Sequence, residues 1–247
     1  MRNTTDLALA FDTVLQHPWF AVTGAIGIVA FSVSGVIIAR TERYSLFGAF
    51  VLAALPAVGG GMVRDFLVNR PLPASVASPV PLLTVMGVVA ASYLFLRLVD
   101  RLAGQSLLFF DLVHLYVRVR GRVSPRMALE MADAVGLAAF TLTGAGVAFS
   151  FAPDPILLWA PLLAALTGAG GGILRDMLRP GAGNPMLKRA FYAEIAFLWA
   201  FVLTAVLLLL PEVAAAAVMT EAMVATFAGV LATRLLVVHF RLEAPKF

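Results

Sequence analysis

A seven-residue pattern occurs twice in this 247-residue chain, as Gly59-Gly60-Gly61-Met62-Val63-Arg64-Asp65 and as Gly170-Gly171-Gly172-Ile173-Leu174-Arg175-Asp176. Three consecutive glycines weaken a helix, since each costs about 1 kcal/mol relative to alanine. Pro56 removes a backbone donor just before the first triplet, while Thr167 and Gly168 occupy the corresponding stretch of the second. Both triplets are therefore expected to break or kink their helices. Carbonyls freed at membrane depth persist only where protein or water meets them, and oxygen dipoles facing water suit a cation such as K+. The competing reading is close helix packing, which small residues permit in lipid. That reading is preferred for Gly24 and Gly27 and for Ser32, Ser34 and Gly35.

The Arg-Asp dipeptides carry the second kind of chemistry. Charged groups inside membrane spans face a bundle interior or a water-filled cavity. Adjacent helical residues point about 100° apart, so neither dipeptide need close an internal ion pair. Arg64 lies about 27 Å along its span at 1.5 Å per residue, toward one membrane face, which puts Arg175 toward the other. One Arg–Asp pair at each mouth of a polar pathway is the functional reading; an arginine snorkelling to each interface is the alternative. Further acids in or near the spans include Glu130, Asp133 and Glu194, candidate partners for the arginines of the second block and its loop. Asp133 aligns with Gly24, so it makes either a one-sided cation site or a structural partner for Arg175. Phe31 and Phe140 occupy matching positions and read as packing rather than gate.

The elements that hold these residues must lie in lipid. Residues of the AVILMFWYC class make up 61% of the chain and charged residues 13%, with a mean hydropathy of +0.95. A soluble domain runs about 45–50% apolar and about 25% charged, so a soluble enzyme is excluded. The absence of cysteine removes disulfides, thiolate metal sites, iron–sulfur clusters and cysteine nucleophiles. His17, His114 and His239 are too dispersed for a metal site. The net charge of +4 comes without a basic stripe interleaved with aromatics, so nucleic acid is not an expected partner. No paired acid/base motif, histidine cluster or nucleophile elbow appears; neither an enzyme nor a cofactor is expected.

Helices of about 20 residues span a bilayer, and seven are expected, over 19–39, 46–69, 80–99, 128–150, 156–178, 190–210 and 213–237. The chain is thus an all-α polytopic membrane protein. Its first eighteen residues carry Asp6 and Asp12 in an amphipathic stretch with no basic n-region, so no signal peptide is read. Fifteen of the 18 basic residues fall after spans 1, 3 and 5 and in the tail, where Arg234, Arg241 and Lys246 are counted. Only Arg2, Arg64 and Arg70 lie on the other side. That bias predicts an external N-terminus, a cytoplasmic C-terminus and an odd number of spans.

The duplication extends beyond the glycines. Gly27–Gly35 aligns with Gly136–Gly144 at an offset of 109, and Leu52–Asp65 with Leu163–Asp176 at an offset of 111. Three spans separate the copies, so the second enters the membrane from the opposite side. The expected layout is one transmembrane domain over 1–247, with inverted three-helix repeats at 19–99 and 128–210. A cytoplasmic linker over 100–127 joins them, and span 7 lies outside the repeat. Inverted repeats with discontinuous helices recur in proteins that move small solutes near the bilayer midplane.

In these residues the chain resembles prokaryotic members of the trimeric intracellular cation channel family. The same broad family includes bacterial proteins described as putative glycine transporters, which share the Gly-Gly-Gly-x-x-Arg-Asp block. The resemblance covers about residues 19–237 and implies a homotrimer in a bacterial inner membrane, in contact with lipid, with a separate ion pathway through each protomer. It marks Gly59, Gly60, Gly61, Arg64 and Asp65, with Gly170, Gly171, Gly172, Arg175 and Asp176, as lining that pathway. The implied solute is K+, with Na+ as a second candidate. Animal members carry a lysine where this chain has Arg64, so lysine-based gating and lipid or calcium regulation are not carried over. The alternative function is secondary transport of a small zwitterion such as glycine, its carboxylate on half-helix N-termini and its ammonium on an aspartate.

Overall fold

The structure, a computed structural model, describes residues 13–102, 124–151, 154–179 and 191–245. Arg2, Asp6, Asp12, His114, Lys188, Arg189, Lys246 and most of the 100–127 linker lie outside the described residues. The major helices are α1 Pro18–Thr41, α2 Leu46–Leu67, α3 Val80–Leu102, α4 Pro125–Phe151, α5 Ile156–Met177, α6 Ala193–Leu209 and α7 Glu212–Phe240. All except α6 contain a stretch long and apolar enough to cross a bilayer. With 17 residues, α6 is about 26 Å long, slightly short of the usual span.

Local signals set the helix ends. Pro18 begins α1 where its missing N–H costs nothing. The Ser45 hydroxyl caps α2 by accepting the Gly48 N–H at 3.2 Å. Arg241 ends α7 in the left-handed conformation, φ 52°. Large apolar side chains such as Phe47, Leu94, Leu209 and Phe240 remain exposed on the outside of the bundle, as a lipid-facing surface requires.

The bundle is organised by contacts between matching helices. Helices α1 and α4 cross antiparallel: Gly24 approaches Thr143, Gly27 approaches Phe140, and Phe31 approaches Gly136. The Phe31 and Phe140 rings meet edge-on, 5.2 Å between centroids. Each ring lies on the glycine one turn before the other. A Cβ at Gly27 would sit 2.7 Å from the Phe140 ring, and one at Gly136 would sit 2.5 Å from Phe31. Both phenylalanines are thus packing residues at the heart of the bundle. Likewise, Gly35 lies against the backbone of Leu52 and Ala53, and Gly144 against that of Leu163 and Ala164.

The expected interruption at the glycine triplets occurs in α2 and not in α5. Helix α5 runs as continuous α-helix through Gly170–Gly172. Helix α2 is interrupted by a π-helical turn over Leu55–Gly59, which contains Pro56 and the first glycine of its triplet. Its backbone stays right-handed helical through Gly60, φ −61° and ψ −41°. A π-turn absorbs a proline that lacks a donor and crowds the preceding turn. The glycines instead let the two helices touch. A Cβ at Gly60 would meet the Thr167 carbonyl oxygen at 2.3 Å, and one at Gly171 would meet the Leu55 carbonyl oxygen at 2.6 Å. These contacts are reciprocal, because Leu55 and Pro56 align with Leu166 and Thr167. Carbonyls that the sequence suggests are free for a cation face the partner helix's glycine Cα, a Cα–H···O geometry found at tight helix crossings.

Candidate functional site

Each dipeptide closes on itself, although neighbouring residues diverge on a helix. Arg64 donates from Nε and Nη2 to Asp65 Oδ1 at 2.9 and 2.8 Å, and Arg175 donates from Nε to Asp176 Oδ1 at 3.0 Å. All four side chains are buried. Interfacial snorkelling does not describe them, since a snorkelling arginine keeps its head in water.

Beyond the dipeptides the clusters differ. Arg175 donates from Nη1 and Nη2 to the two oxygens of Asp133 at 3.1 and 3.2 Å, and from Nη1 to Ser34 Oγ at 2.8 Å. Asp133 is therefore the structural partner of Arg175. Asp176 also accepts from Arg179 Nη1 at 3.0 Å, and Arg179 is clasped by the Glu42 carboxylate from the end of α1. The bonds to Glu42 hold the Arg179 guanidinium above its ordinary pKa against partial burial, with Asp176 adding to them. At the other cluster, Asp65 Oδ2 accepts the Ala74 N–H at 2.8 Å, and Arg70 Nη1 lies 3.7 Å from Oδ1. Asp65 thereby ties the segment after α2 to the helix end.

Two of the expected acids lie elsewhere. Glu130 pairs with exposed Arg126 one turn earlier. Glu194 accepts the Tyr192 N–H at 2.9 Å and caps the start of α6, as an acid in a first helical turn does. Neither reaches the α5 arginines. Arg234, counted with the tail in the charge tally, lies within α7 and is buried. Its guanidinium stacks 5.0 Å from the Tyr192 ring centroid and donates to the Phe191 carbonyl. The sequence reading missed Glu42 as the partner of Arg179, and Arg234 as a buried group. Only their charge signalled them.

Two cavities open on these clusters. One of about 480 Å³ is lined by Glu130, Asp133, Arg175, Asp176, Arg179 and Arg234, among others. The other, of about 240 Å³, is lined by Gly24, Arg64, Asp65, Ser75, Thr143 and Thr167, among others. On α1, Gly24 lines the smaller cavity and Ser34 bonds Arg175 in the wall of the larger one; the two are ten residues, or about 15 Å, apart along the axis. Phe31 lies between these two positions on α1, and its partner Phe140 lines the smaller cavity. Among the described residues no group of His, Asp and Glu is arranged to hold a metal.

Residues 21–97 and 130–210 match the family model described as Glycine transporter. This chain belongs to that family. It is 35% identical over 183 residues to the UPF0126 membrane protein YvgT of Bacillus subtilis, covering 71% of this chain and 72% of that one. It is 31% identical over 153 residues, 62% of each chain, to the UPF0126 inner membrane protein YadS of Escherichia coli K12. The TRIC trimeric intracellular cation channel orthologue from Rhodobacter sphaeroides superimposes with a TM-score of 0.70 at 26% identity, over 92% of this chain and all of that one. A second solved structure, from work on conductance through TRIC cation channels, gives 0.67 at 28% identity over 92% and 97% of the chains. The family relationship expected from the doubled block thus holds. The chain is an all-helical, multi-pass membrane protein.

Proposed function

We propose that this protein is a passive, K+-permeable cation channel of the bacterial inner membrane, with Na+ as a second permeant ion. The observation that carries the proposal is the pair of charged cavities at opposite ends of the α1–α4 crossing, each built around an aligned Arg–Asp pair. Likeness to TRIC channel structures over nine-tenths of the chain supports it. An ion passes one cavity, the α2–α5 crossing at Gly59–Gly61 and Gly170–Gly172, and then the other cavity. The carboxylates of Asp65, Asp133 and Asp176 offset the arginine charge only in part, so cation selectivity is modest. Conduction requires α2 and α5 to shift at their crossing, and the π-turn supplies local give.

The same reading makes 1–247 one transmembrane domain of two inverted three-helix repeats plus α7, assembled as a homotrimer in lipid. The antiparallel crossing of matching α1 and α4 supports the inversion. We assign α6 as the seventh crossing, the N-terminus to the outside and the C-terminus to the cytoplasm. Arg126, Arg179, Arg234 and Arg241 gather around the larger cavity, as expected of a cytoplasmic mouth.

Potassium efflux from proteoliposomes tests the proposal: release should be passive and unsaturated, and efflux equal to that of protein-free liposomes overturns it. The second reading is secondary transport of a small zwitterion, favoured by the family model's description. Saturable, ion-coupled uptake of labelled glycine would establish it instead.

A further inference from the structure

We infer that the Arg64 cavity binds a small carboxylate-bearing solute, which takes the place that the Asp133 carboxylate fills in the other half of the molecule. At the offset of 109 that relates α1 to α4, Asp133 matches Gly24 and Ser34 matches Thr143. Around Arg175, Asp133 supplies a two-oxygen carboxylate and Ser34 a hydroxyl. Around Arg64, the matching Gly24 and Thr143 both line the cavity, but Gly24 brings no carboxylate. A Cβ built at Gly24 has one neighbour within 4 Å, Thr143 Cγ2 at 3.8 Å. The space of the missing side chain is open and continuous with the cavity of about 240 Å³.

Charge shows the same deficit. Arg175 has two carboxylates, Asp133 and Asp176. Arg64, 6% exposed, has Asp65 alone among the described residues. It uses one oxygen of that group, which Arg70 also faces at 3.7 Å. The other oxygen is taken by the Ala74 N–H. Among the described residues, two guanidinium groups therefore share one carboxylate, leaving one positive charge on the cavity lining. A buried guanidinium short of a counter-charge is unfavourable until an anion supplies it. Ser75 lines the same cavity, and its buried hydroxyl has no hydrogen-bond partner. A monocarboxylate satisfies the guanidinium in the planar, two-oxygen manner that Asp133 uses on Arg175. This inference concerns binding and rests on neither transport reading.

The test is calorimetric titration and thermal unfolding of the purified full-length protein with acetate, glycine, methylammonium and chloride at constant ionic strength. Acetate and glycine should bind saturably and raise Tm, whereas methylammonium and chloride should do neither. Gly24→Asp supplies the carboxylate in cis; it should raise Tm without ligand and weaken acetate binding by about tenfold or more. Gly24→Asn fills the same space without charge and should weaken acetate binding with no gain in Tm. Arg64→Gln should abolish the acetate response, and it provides the loss-of-binding arm if Gly24→Asp does not fold. Wild-type protein that treats acetate and chloride alike overturns the inference. So does a folded Gly24→Asp variant with unchanged acetate affinity. Binding of glycine without acetate also overturns it, because the ammonium then carries recognition. A protein that fails to conduct can still be titrated, so the channel proposal and this one fail separately.

Discussion

Arg175 and Asp133, 42 residues apart in sequence, meet through two hydrogen bonds of 3.1 and 3.2 Å inside the bundle. The pair joins α5 to α4, and Ser34 brings α1 onto the same guanidinium. One buried cation thus fixes three helices at one end of the molecule. Asp176 and Arg179 extend the network to Glu42 beyond the end of α1.

Removing one partner from this pair should cost far more than removing one from its exposed extension. Asp133→Ala leaves a buried guanidinium with a reduced set of partners, a loss of about 3–5 kcal/mol. Glu42→Ala acts on a more exposed pair and should cost less than about 1 kcal/mol. Thermal unfolding of the two variants in the same detergent checks the ordering. Equal shifts in Tm would mean that the buried network does not organise the fold.

The glycine triplets should tolerate alanine unevenly. At Gly60 and Gly171 the added methyl meets backbone at 2.3 and 2.6 Å, and backbone cannot rotate away. Gly60→Ala and Gly171→Ala should each cost about 1–3 kcal/mol through forced separation of α2 and α5. Gly61→Ala meets the Arg64 side chain at 3.5 Å, and Gly170→Ala meets the Leu166 side chain at 3.4 Å and Gly60 Cα at 3.6 Å, ordinary van der Waals contacts, so both should be near neutral. Expression and thermal unfolding of the four variants decide this. If all four respond alike, the triplets act by helix weakness rather than by contact.

Phe31 and Phe140 should behave as a coupled pair. Each single Phe→Ala change in the core should cost about 3–5 kcal/mol. The double variant should fall short of the sum by about 0.5–1.5 kcal/mol, the worth of the ring–ring contact. A double-mutant cycle on unfolding free energy measures it, and strict additivity would place the rings out of contact in solution.

How far the sequence discloses this arrangement depends on how local each signal is. Span positions and the internal duplication are legible because both are carried by contiguous runs, and the matching contacts of Gly27 with Phe140 and Gly136 with Phe31 follow that register. The Asp133–Arg175 pair is visible as one of two alternatives, since a buried acid and a buried base in neighbouring spans tend to meet. The triplet of α5 misleads, because helix propensity reports the isolated chain. A Cβ-free surface gains its value only when a second helix lies against it. The Glu42–Arg179 contact joins residues 137 apart, from beyond the ends of two helices, and no periodicity signals it. Arg234 falls inside the expected span 213–237 although it is tallied with the tail, and its stacking on Tyr192 depends on how α7 packs across the start of α6.

The central claim is that the two charged cavities belong to one cation pathway. The most direct measurement is the reversal potential of the purified protein in a planar bilayer under a KCl gradient. The account predicts a reversal displaced toward the K+ equilibrium potential. Reversal at the Cl− equilibrium potential would contradict it.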